Sequence, residues 1–419
     1  MVLKIAREYR TEEGYDVIVC GGGPAGVAAA VSSARRGAKT LLLERGGCLG
    51  GFWTRGLLTW LIDTEGKEGL LPEVLNRLED CADGVRLDTP KRFTADTEKT
   101  KLLFEVLCRE AGVQVLYHTL LTDAVTENGR ITHVLTESKD GAVAYGAKLF
   151  VDTTGDGDLG FFAGASFDLG NAEGVTQPMS LICQLGGIKC EDMIPFDSRK
   201  SKRTKPRMLE ELSKAGITPS YRAPLLAILS EAYGTYGFMV NHEYRSGLST
   251  EAVSEGTMCA REELHRIVDA LRSLGGIWEK VHITATADAI GVREGRRIRG
   301  LYIVTAEDVV AGKQFSDGIC TVNFRTDVHS LKPAEGKTDD SYGKGHPPYQ
   351  IPLRALISKD RSNLLMGGRC ISGDFVAHGS YRVAGPAFRT GEVAGRFAAF
   401  CAKRENIPAD SIEPFLKTL

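Results

Sequence analysis

YDVIVCGGGPAGVAAAVSSARRGAKTLLLER, residues 15–45, decides the reading of this chain. Val17 to Cys20 is a short apolar run bounded by turn residues, the pattern of a strand buried on both faces in a parallel sheet. Gly21, Gly23 and Gly26 then space out as G-x-G-x-x-G, with Pro24 and Ala25 inside the turn. An alanine-rich segment comes next, small enough to pack closely on a sheet, and Gly37 stops it. Residues 39–44, KTLLLE, form a second strand ending at Glu44. Each glycine has a physical task. Gly21 permits the tight turn, Gly23 lets the backbone approach a pyrophosphate, and Gly26 lets helix and strand touch. The helix N-terminus offers unpaired N–H groups and positive potential to phosphates. Glu44 stands where a carboxylate can accept both ribose hydroxyls. A lone G-x-G-x-x-G is weak, but strand, helix and acid all stand in place here. The unit predicts dinucleotide binding; the bland alternative is a glycine-rich turn with a structural Glu44.

The segment after Glu44 separates the two common dinucleotides. Arg45 leads into a second glycine-rich loop, RGGCLGGFWTRG, containing Gly50 and Gly51. A long excursion and a late return to the nucleotide domain favour a flavin nucleotide over NAD.

The bulk numbers agree with an ordinary soluble protein. The chain has 419 residues, 42% hydrophobic and 25% charged, and a net charge of -2. That length predicts two domains. The charge argues against a nucleic-acid-binding chain. No apolar run reaches the ~18 residues of a membrane span, and no apolar signal core opens the sequence. The ten cysteines form no C-x-x-C pair. They read as free thiols of a cytoplasmic protein, without a metal site. Asp152, Asp156 and Asp158 suggest metal ligands at first sight, but fit a nucleotide-binding loop better.

Downstream, residues 66–82 and 97–111 carry helical periodicity. AGVQVLYH (111–118) is a parallel-strand candidate, and Asn128–Gly129 is a hairpin turn. Residues 148–160, KLFVDTTGDGDLG, run from a strand into a glycine–acid turn, Gly155 to Asp158. From 166 to 345 the character becomes mixed. SLICQLGGI, YGFMVNHEY and LYIVTAEDV read as strands, and 206–216 and 249–274 as helices. The basic run RKSKRTKPR (199–207) is a solvated loop or, in the sharper reading, an anion-attracting lid. After 350 the nucleotide domain returns, and residues 386–403 read as its closing helix, with Pro386 in the first turn.

Several segments in order resemble the FAD-dependent oxidoreductase family of glutathione-reductase-type fold. They are residues 21–51, FVDTTGDGDLG (150–160), GVREGRRIRGLYIVTAEDV (291–309), IPLRALI (351–357) and NLLMGGRCISGDFVAHGSYRVAGPAFRTGEVAG (363–395). The resemblance covers nearly the whole chain, its middle least distinctively. It implies an α/β fold: a three-layer Rossmann-like FAD-binding domain, parallel sheet plus β-meander, formed by residues 1–165 and 346–419. An α+β substrate domain, 166–345, is inserted into it. It also implies non-covalent FAD; attachment through Cys48 or Cys370 is the minor alternative. Gly21, Gly23 and Gly26 would carry the pyrophosphate, Glu44 the adenosine ribose, and the Leu121 backbone the adenine. Gly155 and Asp156 would close the adenosine side. Gly373 and Asp374 would hold ribityl or phosphate groups. The helix begun at Gly385 and Pro386 would aim its N-terminus at the flavin pyrimidine edge, where positive potential favours the reduced flavin.

A second resemblance is local. HGSYRVAGP (378–386) is similar to the H-G-x-N-R-L-G-G segment of the succinate dehydrogenase, fumarate reductase and aspartate oxidase flavoproteins. It implies that Arg382 binds a substrate carboxylate; Tyr381 replaces the asparagine. His378 is then a candidate base or a hydrogen-bond donor to flavin or backbone. Tyr381 walls the pocket or packs. In VREGRRIRG (292–300), period-two spacing puts Arg293, Arg297 and Arg299 on one strand face. Arg293 is the one expected to reach the active site. The expectation is an FAD-dependent dehydrogenase or oxidase moving hydride between a small polar, carboxylate-bearing substrate and flavin N5. The alternatives are a flavin reductase component serving a protein partner, and a non-catalytic FAD-binding sensor. The electron acceptor and homo-oligomerisation stay open.

Overall fold

Residues 15–45 fold as their spacing dictates. The computed structural model describes residues 6–79, 92–198, 203–231, 233–333, 342–405 and 407–419. Strand β1 (Arg10–Cys20), helix α1 (Pro24–Arg35) and strand β2 (Thr40–Leu43) form the opening unit, with β1 and β2 parallel from Val17↔Thr40 to Cys20↔Leu43. Gly37, at φ +76°, turns the chain back after α1. Gln114–Leu116 joins β2 in parallel on one side. On the other side Gly141–Asp152 lies parallel to β1, and Leu364–Met366 parallel to Gly141–Asp152. The late return of the chain thus adds a strand to the first sheet.

Gly141–Asp152 serves twice. Its first half pairs antiparallel with Arg130–Ser138, which pairs with Leu120–Glu127, giving the expected meander. Asn128 and Gly129 both take positive φ, +49° and +75°, as a tight two-residue hairpin requires. The closing helix Ala384–Ala402 lies on α1. A Cβ on Gly391 or Gly395 would come within 2.1 or 2.0 Å of the Ala25 or Ala29 carbonyl oxygen, so only glycine permits this backbone approach. The small residues read as sheet-packing are therefore helix-packing as well.

A second apolar core lies in the middle of the chain. Leu225–Ser230, Thr235–Met239, Cys183–Gly186 and His282–Thr286 form an antiparallel sheet in that order. The helix Thr250–Ser273 buries Ala260, Leu264, Ile267, Val268 and Leu271 against it. The buried residues of this core run from Met179 to Ile290. Ile298, Val304, Val309, Ile319 and Val322 lie inside the expected 166–345 span but pack in the first core. The second core is thus shorter at both ends than composition suggests, because apolar runs do not say which core they join.

Three local expectations fail. LYIVTAEDV is no strand: Thr305 and Asp308 cap each other's backbone and start a helix, Ala306–Ala311. VREGRRIRG supplies only the two-residue strand Arg297–Ile298. AHGSYRVAGP (377–386), by its sequence too glycine-rich for a helix interior, carries most of a short helix, Phe375–Tyr381, nucleated by the Asp374 side chain at the Ala377 N–H. Of the basic run, residues 199–202 lie outside the described residues. Among the described residues no helix is long and apolar enough to cross a membrane.

Candidate functional site

The glycine turn after β1 makes a cradle. Gly26 has no room for a side chain: a Cβ would sit 1.8 Å from the Gly21 carbonyl oxygen and 2.8 Å from Thr153 Oγ1. Gly23 is the opposite case, with nothing within 4 Å of its Cβ position. It is the N-cap of α1, and no side chain caps that helix. A turn closed at Gly26, open at Gly23 and backed by an uncapped helix N-terminus is what a pyrophosphate needs. The second glycine loop abuts it: the Gly50 N–H donates to the Gly22 carbonyl at 2.8 Å, and a Cβ on Gly51 would stand 2.9 Å from Gly23 Cα.

Glu44 is buried beside this cradle. Its carboxylate accepts from the Gly22 N–H at 2.7 Å and the Gly46 N–H at 2.6 Å, fixing it in place with lone pairs to spare for ribose hydroxyls. Arg45 is exposed. The neighbour across the gap is not Leu121. The Glu44 N–H donates to the Leu116 carbonyl, Thr119 N–H to the Glu44 carbonyl and His118 N–H to the Gly46 carbonyl. The backbone from Tyr117 to Thr119 therefore borders Glu44, whereas Leu121 already lies in the meander opposite Thr136.

Asp156 and Gly155 close the far side with Arg369, whose Nη2 donates to Asp156 Oδ1 at 2.8 Å. Asp152 is fully buried and accepts from Gly160 N–H, Thr154 N–H and Thr154 Oγ1. Burial pushes its carboxyl up to about 6. Gly373 and Asp374 are both bonded within the protein. Asp374 Oδ1 accepts from the Ala377 N–H at 2.7 Å and Oδ2 from the Ala306 N–H at 2.6 Å, so both oxygens are engaged in capping. The Gly373 carbonyl accepts from Arg297 Nε. The glycine pair that meets α1 is Gly367–Gly368: a Cβ on Gly368 would stand 2.9 Å from Ala25 Cβ.

The closing helix begins at Ala384, with Gly385 against the Asp63 carbonyl and Pro386 in its first turn, as expected. Beside it lies the buried ion pair Lys67–Asp63, 3.0 Å. Cys370 is a fully buried thiol, pushed well up by desolvation, while Cys48 is partly buried beside Thr54. Among the described residues no group of three or more His, Cys, Asp or Glu side chains stands where it could hold a metal ion.

The catalytic candidates divide sharply. His378 is fully buried, and neither ring nitrogen makes a well-formed hydrogen bond. Burial drives its pKa well down, with the nearby Arg369 backbone opposing only weakly. Its ring stands edge-on to Tyr381, which is also buried and donates to the Ile371 carbonyl at 3.2 Å. Tyr381 packs within the first core. The arginines of VREGRRIRG go separate ways. Arg297 is buried and paired with Glu294, Arg299 reaches Asp168 near the surface, and Arg296 binds Asp158 at 2.9 Å. Arg293 alone turns to the second core, donating to the Pro178 carbonyl and, at 3.0 Å, to Ser180 Oγ.

Arg382 stands where the two cores meet. Its Nη2 donates to the Asp327 carbonyl at 2.9 Å and to Gln177 Oε1 at 3.3 Å, while its Nε has no partner. Gln177 Oε1 also accepts from the His329 N–H, and its Nε2 is unpartnered. His329 Nε2 lies 3.3 Å from Asp327 Oδ2, and its Nδ1 is unpartnered. The His329 and His242 rings are 5.0 Å apart, and His242 Nε2 is unpartnered too. Tyr221 stacks on His242 at 4.0 Å. Gln177, His242 and His329 are 1%, 2% and 7% exposed. Among the described residues, four buried polar atoms without partners, from four separate segments, thus lie on neighbouring side chains. This junction is the candidate substrate site.

Only Arg382 and Arg293 of that cluster are expected from sequence. Gln177, His242, Asp327 and His329 escape sequence reasoning. RTDVHS (325–330) does hold a signal: a D-x-H pair puts Asp and His on one face of an extended strand.

A sequence model described as FAD dependent oxidoreductase matches residues 16–415. Thiamine thiazole synthase of Methanococcus vannielii is 30% identical over 150 residues, which is 33% of this chain and 56% of that protein. The enzyme of the same name from Aeropyrum pernix is 33% identical over 123 residues, 29% of this chain and 43% of that one. The chain therefore spans about half the length of the curated relatives it matches. Among solved structures, a geranylgeranyl bacteriochlorophyll reductase-like protein from Thermoplasma acidophilum aligns with TM-score 0.50 and 15% identity, over 94% of this chain and 79% of its own. The flavin-dependent brominase Bmp2 aligns with TM-score 0.51 and 11% identity, over 96% and 83%. These two likenesses are of fold.

Proposed function

The chain belongs to the FAD-dependent oxidoreductase family, and we propose that it transfers hydride between FAD and a small, polar, carboxylate-bearing substrate held where the two cores meet. The cradle residues fit the cofactor: Gly21, Gly23 and Gly26 with the α1 N-terminus for the pyrophosphate, and Glu44 for the ribose. When bound, FAD supplies the two-electron hydride acceptor. The rest falls to side chains of this chain. Arg382 and Gln177 offer unpartnered N–H donors, Nε and Nε2, and Arg293 adds charge nearby. Donors held by other bonds and buried from water grip an anionic oxygen pair without further ordering. Burial pulls the Arg382 guanidinium below its usual value, opposed by Asp327 and Glu294, so a carboxylate there would replace lost solvation.

The single observation that supports this reading is the unpartnered Nε of Arg382 beside the unpartnered Nε2 of Gln177. The test is anaerobic bleaching of the flavin band by a panel of carboxylic acids, amines and sugars. Bleaching by acids, with a KM strongly raised in Arg382→Ala and FAD retained, supports it. Bleaching confined to amines or sugars, or loss of FAD from Arg382→Ala, overturns it.

A further inference from the structure

We propose that the substrate is a 2-hydroxy acid, with His329 Nδ1 taking the hydroxyl proton and Asp327 holding the ring for that task. This rests on the carboxylate reading above and adds the reacting group and the base. Three observations lead to it, the first being a difference between the two histidines at the junction. Among the described residues His242 meets Tyr244, Tyr221 and His329, and no carboxylate pairs with either of its nitrogens. His329 has Asp327 at 3.3 Å from Nε2. A carboxylate on one nitrogen places the proton there and leaves the other nitrogen bare as an acceptor. The bare nitrogen, Nδ1, is the buried and unpartnered one. His329 Nδ1 therefore stands ready to accept a proton.

The second observation is the arrangement of neighbours. Donors without partners sit on Arg382 and Gln177, and both residues touch the Asp327–His329 segment. An anion gripped by those donors has its adjacent carbon next to the acceptor on His329. A carboxylate with a hydrogen-bearing heteroatom on the next carbon satisfies donors and acceptor together. The third observation is charge. The groups facing His329 are Asp327, His242, Tyr221, Gln177, Arg293 and Arg382. Facing His329 itself, two arginines stand against one carboxylate already bound to the ring, and Glu294, beside Gln177 and Arg382, is paired with Arg297. Such a site rejects the ammonium of a 2-amino acid and accepts a neutral hydroxyl. It also holds His329 neutral at pH 7: burial first, then Arg293, pulls it down to about 4, against Asp327. A bound carboxylate offsets the arginines, so substrate itself raises the basicity of its own base.

The step balances. The hydroxyl O–H bond breaks and its proton goes to His329 Nδ1. The C–H bond on the same carbon breaks with its electron pair as hydride to FAD, and the O–H pair closes the C=O bond. The substrate loses two electrons and becomes a 2-oxo acid. Asp327 stabilises the imidazolium until the proton passes to water.

The test uses FAD-loaded protein labelled with 15N-histidine. His329 is assigned by the resonance missing in His329→Gln, or in His329→Asn where the first does not fold. At pH 7 the expected state is neutral, with the proton on Nε2 and Nδ1 bare, and Asp327→Asn lowers the population of that tautomer. A proton on Nδ1, or a charged ring at pH 7, overturns the assignment of the base whatever the substrate. Anaerobic mixing with glycolate, both lactate enantiomers, malate and 2-hydroxyglutarate is the second arm. Flavin reduction by one of them, slowed on the order of 10²–10⁴-fold in His329→Gln with FAD retained, supports the proposal. Reduction by 2-amino acids instead overturns the hydroxyl reading while leaving the carboxylate one. Reduction by no carboxylate of either class overturns the carboxylate reading itself, and the spectrum still decides the base.

Discussion

Two alanine substitutions three residues apart separate a binding surface from a structural contact. At Gly23, φ is −67° and ψ −177°, values any residue adopts, and a Cβ meets nothing within 4 Å. Gly23→Ala should therefore leave the apoprotein's stability within about 0.5 kcal/mol of wild type. The open space is where the pyrophosphate is proposed to lie. A methyl group there acts as overpacking in the complex, about 1–3 kcal/mol, or roughly 5–150-fold weaker FAD binding. Gly26→Ala inverts the pattern. Its Cβ would stand 1.8 Å from a backbone oxygen that cannot rotate away, so α1 must shift off β1 before any cofactor arrives. Its apoprotein should lose more stability than the Gly23 variant by at least about 1 kcal/mol. The assays are denaturant unfolding of the two apoproteins and FAD titration followed by flavin fluorescence. A Gly23→Ala protein that binds FAD as tightly as wild type would refute the placement of the pyrophosphate. A Gly26→Ala protein as stable as wild type would refute the packing argument.

Three further outcomes are expected. Arg382→Ala removes a charge-assisted contact, about 1.5–3 kcal/mol, so KM for the carboxylate substrate should rise about 10–150-fold; an unchanged KM in steady-state kinetics counts against it. Asp374→Ala removes the cap of Phe375–Tyr381 and the acceptor for the Ala306 N–H, so stability should fall by about 1–2 kcal/mol while FAD affinity holds; weakened FAD binding by titration would restore Asp374 to the cofactor site. His329 is neutral in the fold down to about 4, whereas the unfolded chain takes up a proton below about 6.5, so the unfolded state binds more protons in that window and stability falls as pH drops through it. Wild type should lose about 2 kcal/mol more than His329→Gln between pH 7 and pH 5. Parallel unfolding curves at the two pH values would show that His329 is not held neutral.

Much of the first sheet is legible in the sequence because its signals are local. Val17–Cys20, the three glycines and Thr40–Leu43 each specify their own conformation, and the parallel register comes with them. The Asn128–Gly129 turn is of the same kind. Errors arise where local chemistry competes with pattern. In LYIVTAEDV the alternating apolar residues suggest a strand, but the reciprocal bonds of Thr305 and Asp308 start a helix. In AHGSYRVAGP two glycines argue against a helix, yet Asp374 just upstream caps one. Gly373–Asp374 is ambiguous for the same reason: a carboxylate after glycine suits a phosphate loop or an N-cap, and the bonds to Ala377 and Ala306 show that the N-cap is made.

The candidate substrate site is the least legible part, and the reason is geometric. Gln177, His242, His329 and Arg382 are far apart in sequence and belong to no shared motif. What marks them is a property of the folded chain: buried polar atoms left without partners. His378 has the stronger sequence claim, since it lies four residues before Arg382. The fold puts it in the wrong surroundings, packed edge-on to Tyr381 with no carboxylate to set its tautomer. A histidine becomes a base through what holds its second nitrogen, and here Asp327 performs that role two residues from His329. The Asp327–His329 spacing is readable as one strand face, but its meaning depends on Arg382 arriving from the other core. Arg382 stands out in the sequence through its own motif, while the histidine proposed to act with it comes from a segment that no motif joins to it.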